Sequence, residues 1–316
     1  NSAYVKTRVY YNTFTNGLFS YDDPSFTKQT KPKSFDSYYA DFAYGGNIEA
    51  GDEIFAGDTL KASFLYRRDS HDEWETIFSP AFTEPHQYTV EDTYSLAAEN
   101  SWHATSTIDL VGGISYDWRH LFKAQDYIDP SGPTPGTFIN YPLADGSALN
   151  GQGALIWNAT DTASYYANVS DRTRFPTIAE RFSTRFGTAA SNPGLKAERA
   201  ANFEIGTKQL LYGWHFDGSV FYSNVTNAIE AVILPPPAPS GTTQSRNVGH
   251  AAYYGAELSV SGQIDDDLAF GGNYTWQIRH INTPSTVAPL QLTGDPGHKG
   301  FVYLSWNALP ELTVTP

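Results

Sequence analysis

The sequence predicts an all-β chain: a segment of an antiparallel transmembrane β-barrel contributing about 12–13 strands. Three observations predict it. Polar and apolar residues alternate with period two over runs of about ten residues or more. Long and short connections between those runs alternate strictly. Aromatic residues make up 15% of the 316 residues, yet no apolar run approaches the roughly 18 residues a membrane helix needs.

The alternation is clearest in Tyr38 to Glu49. Tyr38, Ala40, Phe42, Tyr44, Gly46 and Ile48 share one face, and Tyr39, Asp41, Ala43, Gly45, Asn47 and Glu49 share the other. It returns in Ser106 to Arg119, in Trp214 to Ser223 with Phe221 as an exception on the polar face, and in Tyr253 to Ser261. Such runs suit strands that span a bilayer, which need about nine to eleven residues, better than globular strands of about five or six. Strands are expected at approximately 3–14, 36–49, 58–69, 88–100, 106–120, 150–159, 163–172, 199–210, 214–226, 247–261, 268–280 and 299–307, with a further one beginning near Leu312. No helix is expected.

Long connections fall near 15–35, 70–87, 121–149, 173–198, 227–246 and 281–298, and short ones near 50–57, 101–105, 160–162, 211–213, 262–267 and 308–311. Long extracellular loops and short periplasmic turns are the habit of outer-membrane barrels. Tyr10, Tyr11, Trp118, Trp214, Tyr222 and Trp306 stand near strand ends, where interfacial aromatic girdles belong. The chain lacks Cys, so it has no disulfide, thiolate ligand or thiol nucleophile. A net charge of −14 argues against nucleic acid as a partner. The absence of Met implies that either a leader was removed or the chain is a piece of something longer, and nothing near Asn1 looks like a signal peptide.

One stretch is more specific. YYANVSDRTRFPTIAERF, from Tyr165, is followed by NPGLKAERAANFEIG. This resembles the later barrel of TonB-dependent outer-membrane receptors, on Ser170, Arg174, Pro176, Thr177, Glu180 and Phe182, then Asn192, Pro193, Leu195, Lys196 and Glu198, then Asn202, Glu204 and Gly206. Asn247, Val248, Gly249, Tyr254, Gly255 and Glu257 extend the likeness, while Ala197 departs from a usual Pro. The resemblance implies that residues 1–316 are part of a barrel of about 22 strands around a plug, with plug and first strands upstream and last strands downstream. It also implies uptake of a scarce extracellular ligand, a ferric siderophore or other metal chelate, powered through the TonB complex. The partners expected are outer-membrane lipid and lipopolysaccharide, the ligand, and TonB through the plug.

Candidate residues divide by face. Arg172 and Arg174 share a face with Tyr166 and Asn168, which is assigned to the lumen as ligand or plug contacts. On the lipid face either Arg would cost roughly 2–4 kcal/mol near the midplane. Lys28, Lys31 and Lys33 could draw an anionic chelate to the mouth. His71, Asp72 and Glu73 offer metal-binding atoms without a recognised ligand spacing. No cofactor is expected and no hydrolase or phosphate-loop motif is present, so the chain reads as a non-enzyme. A plug-less porin with an inward-folded loop, a complete small barrel enzyme and a soluble β protein are the alternatives.

Overall fold

The computed structural model describes residues 3–315, apart from Lys33, Pro80, 131–133, 185–187 and 283–295. Thirteen strands form one continuous antiparallel sheet in chain order. They are β1 (Tyr4–Phe19), β2 (Phe35–Phe55), β3 (Asp58–Phe78), β5 (Gln87–His103), β6 (Ile108–Ile128), β8 (Gly146–Thr160), β9 (Ala163–Arg174), β10 (Glu198–Leu211), β11 (Trp214–Thr226), β14 (His250–Gln263), β15 (Leu268–Asn282), β16 (His298–Leu309) and β17 (Leu312–Val314). Short strands β4 (Ala81–Thr83) and β7 (Thr137–Asn140) pair with β3 and β6. Strands β12 (Ile229–Ile233) and β13 (Thr243–Asn247) make a separate hairpin.

Every expected strand is present, and several run longer. β2, β3 and β6 each have 21 residues, about twice what the bilayer requires. In β3 and β6 the extra length lies at the long-loop end, whereas β2 gains residues 50–55, expected in a short connection. Residues 70–78, expected in a loop, continue β3, which puts His71, Asp72 and Glu73 on alternating faces of a strand. At the other end the turns are tight. Tyr212 and Gly213 both have positive φ, the backbone of a type I′ hairpin.

The register assigns the faces. Val9, Gly46, Tyr66, Tyr94 and Trp118 form one row across five strands. Leu110, Leu155, Ala167, Ile205, Val220, Ala256 and Trp276 form another on the same face. The opposite face carries Glu49, Ser63, Ala97, Ser115 and Asn150. Loop segments fold onto this polar face, which makes it the lumen wall. Tyr10, expected in a girdle, belongs to the polar face instead, opposite Gly45.

Polar-face aromatics follow a rule. Tyr4, Tyr10, Tyr166, Phe221 and Tyr303 stand directly across from Gly51, Gly45, Gly206, Gly255 and Gly271. A Cβ on Gly206 would lie 2.4 Å from the Tyr166 ring, and one on Gly255 would lie 2.9 Å from that of Phe221. Each ring covers backbone its neighbour leaves bare. This explains why Phe221 breaks the alternation.

The sheet has no conventional core. Among the described residues, two buried apolar clusters lie where loops meet the polar face: Val225, Ala228, Val232, Val248 and Ala251 in one, and Leu121, Ala124 and Phe182 in the other.

Candidate functional site

The long connections meet over the polar face, and the best-built one joins β9 to β10. Pro176 fixes its own φ and biases Phe175 toward extended backbone. Thr177 then caps α1 (Ile178–Phe182), the one helix among the described residues and one the hydrophobic pattern did not predict. Its capping box is complete: the Glu180 amide donates to Thr177 Oγ1 at 3.2 Å, and the Thr177 amide donates to Glu180 Oε2 at 2.7 Å. The T-x-x-E spacing is the signal that marks it. Arg174 at the end of β9 donates to Glu180 at 2.9 and 3.1 Å and to Glu198 at 2.6 Å, tying both ends of the connection together.

The helix is pinned to the wall. Phe182 packs against Leu121 and Ala124, with Tyr141 beside it. Arg181, 1% exposed, donates to Glu91 on β5. Arg119 on β6, 6% exposed, lies 3.6 Å from the same carboxylate and donates to the Pro176 carbonyl at 2.8 Å. One carboxylate thus serves two buried guanidinium groups, and neither Nε atom makes a hydrogen bond among the described residues.

Two further connections lock onto this one. The Thr243 amide donates to the Thr188 carbonyl at 3.0 Å, the Ala190 amide donates to the Thr243 carbonyl at 2.8 Å, and Asn192 donates to the Ser245 carbonyl at 2.8 Å. Tyr141, in the connection between β6 and β8, donates to Asp126 and accepts from the Ser191 hydroxyl, each at 2.8 Å. The β12–β13 hairpin packs Val232 against Val225 and Ala251, and pairs Glu230 with Arg279 on β15. Asn247 accepts from the Lys196 amide at 2.9 Å and donates to the Lys196 and Asn227 carbonyls. The end of the sheet that carries the long connections therefore holds a hydrogen-bonded lattice of three loops.

The motif residues mostly build this lattice and its wall. Pro193 occupies the turn in which the Leu195 amide donates to the Asn192 carbonyl at 3.1 Å, and Leu195 is buried. Tyr166 donates to Glu204 at 2.6 Å, and Asn202 links Ser170 to Ser223. Arg172 bonds Gln152, beside Glu49, Lys61 and Glu99 along a wall groove of about 210 Å³. Asn168 lines a second groove of about 560 Å³. In the loop after β1, Asp22 accepts from Thr30 Oγ1 at 2.6 Å and from the Lys31 amide at 2.9 Å, which holds its carboxyl at about 2. Lys31 in turn bonds the Asp22 carbonyl. Lys33 lies outside the described residues.

His71 is bracketed by Asp41 at 2.8 Å and Glu73 at 3.3 Å, while Asp72 points to the other face and pairs with His86. The three consecutive residues therefore do not converge, and no metal-holding cluster of three or more His, Asp or Glu occurs among the described residues. Sequence reading missed Glu91, Arg119 and Arg181; they lie far apart along the chain, and only the fold brings them together.

An inward-folded loop is also a porin's feature, so comparison with known proteins is the discriminator. The family described as "TonB dependent receptor-like, beta-barrel" matches residues 1–314. An uncharacterized TonB-dependent receptor of Haemophilus influenzae is 24% identical over 246 residues, covering 73% of this chain and 66% of that protein. The copper transporter OprC superposes with a TM-score of 0.75 at 18% identity, over 96% of this chain and 47% of that one. The ferric-catecholate import receptor Fiu of E. coli K12 gives 0.64 at 16% identity, over all of this chain and 50% of that one. The chain spans about two thirds of the curated relative and about half of each solved receptor. Strand order, loop asymmetry, motif and match over nearly the full length agree: the chain belongs to the TonB-dependent receptor β-barrel family, a family of outer-membrane transport receptors.

Proposed function

We propose that this chain is the wall and extracellular mouth of an energy-coupled uptake receptor in a bacterial outer membrane. It takes up a scarce ligand, foremost a ferric siderophore or other metal chelate. The observation that carries this reading is the lattice of three loops docked on the polar face, in a chain of this family. A passive pore needs an open lumen, whereas a receptor needs a built mouth that holds its ligand until work is done on it. Relatives named for copper transport and for ferric-catecholate import support a metal-bearing cargo. The chain covers about half of those receptors, and we assign the plug and the TonB-contacting segment to the remainder of the protein. In this reading Arg174, Glu180, Glu198, Asn192 and Lys196 are scaffold. Tyr166, Asn168 and Arg172 are wall residues facing the plug.

Deletion of the gene tests it. Cells starved of iron or copper and supplied with single chelates should lose growth on at least one of them. Complementation should restore growth only where TonB is intact. Restored growth without TonB would replace the receptor with a pore.

A further inference from the structure

Two adjoining cavities open at the extracellular end of the polar face, beside α1. One of about 650 Å³ is lined by Glu73, Glu75, Glu84, Asp126 and Asp129 together with aromatic side chains that include Phe82 and Tyr127. The other, of about 450 Å³, is bounded by Phe14, Ile178 and Phe182. Tyr39 and Glu73 belong to both walls, so the two form one bipartite space of the size that small-molecule sites occupy.

Charge is unevenly distributed over it. His71 sits between Asp41 and Glu73 and answers those two carboxylates. Among the described residues, the rest of the acidic lobe has neutral donors: Gln87 to Glu84 at 2.8 Å and Tyr141 to Asp126 at 2.8 Å. No Lys, Arg or His stands among the described residues lining that lobe. Carboxyl groups crowded in a partly dry space must either keep protons or attract a cation. Glu84 shows the first response: burial and a hydrogen bond with Asp129 push it up to about 8. The aromatic rings supply faces for the second, with Phe82 and Tyr127 stacked at 6.0 Å. A chain of net charge −14 draws cations toward such a mouth.

We propose that this bipartite cavity is a binding site for a cationic ligand with an apolar body, its positive group among Glu75, Glu84 and Asp129 and its apolar part against Ile178 and Phe182. This rests on the receptor reading and deepens it, because it selects among chelates and other cargo by charge. It also runs against the basic loop: Lys28 and Lys31 line neither cavity. Binding displaces the proton held between Glu84 and Asp129, so uptake of the ligand releases protons near neutral pH.

Tetraphenylphosphonium and tetraphenylborate test this directly, since they share a shape and differ in sign. Their binding to the full-length receptor in lipid nanodiscs should be measured by calorimetry at pH 7.5 in two buffers of different ionisation enthalpy, against empty nanodiscs. The cation should bind with proton release and the anion should not. E84Q/D129N, checked for wild-type heat-modifiable mobility, should bind the cation at least about tenfold more weakly. Equal binding of both ions, or cation binding unchanged in E84Q/D129N, would overturn the proposal. Loss of cation binding in a receptor that still drives TonB-dependent uptake defeats this proposal alone. Cation binding without uptake defeats the transport reading alone.

Discussion

Single residues explain why the family motif looks as it does. Gly206 closes the N-x-E-x-G segment because the Tyr166 ring lies across it and donates to Glu204. G206A should force that ring aside and cost about 1 kcal/mol. The loss should shrink when Tyr166 is also truncated, as a double-mutant cycle on the temperature of heat-modifiable unfolding would show. Titrating loop residues give opposite signs. Asp22, held at about 2 against an ordinary 3.8, stabilises its loop fully above about pH 4, and that support is lost as pH falls toward 2. Glu84, at about 8 against 4.5, holds a proton in the fold that the opened loop releases. Its contribution is complete below about pH 4.5 and lost as pH rises through 8. Hydrogen exchange, corrected for intrinsic rates, should therefore show residues 81–86 better protected at pH 5 than at pH 8, and E84Q should flatten that difference.

Among the elements, α1 shows the most direct link between packing and mouth closure. Arg181 and Arg119 share Glu91 in a buried site. E91A would strand two buried guanidinium groups and weaken docking of the helix by about 3–5 kcal/mol, whereas R181M would leave one cation for one carboxylate and cost far less. Limited proteolysis within 183–192 should be fast in E91A and near wild type in R181M. The strands were legible because period two survives wherever one face meets lipid. Their upper ends were not: in DSHDEWETIF both faces are polar, so the pattern ends while β3 continues to Phe78. The helix has five residues, too few for a 3.6-residue period, and only the Thr177–Glu180 capping spacing announces it. Glu91, Arg119 and Arg181 carry no sequence signal, since an ion triad across three elements exists only after folding.

For the whole molecule, a continuous sheet of strands with every long connection at one end fixes a direction through the membrane. No described helix is long and apolar enough to cross a membrane. Native Cys is absent, so one introduced thiol reports one site. The most direct test of the account is labelling of intact cells with a membrane-impermeant maleimide in two full-length variants. These are S240C, in the turn between β12 and β13, and D266C, in the turn between β14 and β15. The account predicts that S240C is labelled on intact cells and D266C only after the outer membrane is opened. Labelling of D266C on intact cells, with S240C silent, would invert the topology and move the loop lattice to the wrong side of the membrane for a receptor.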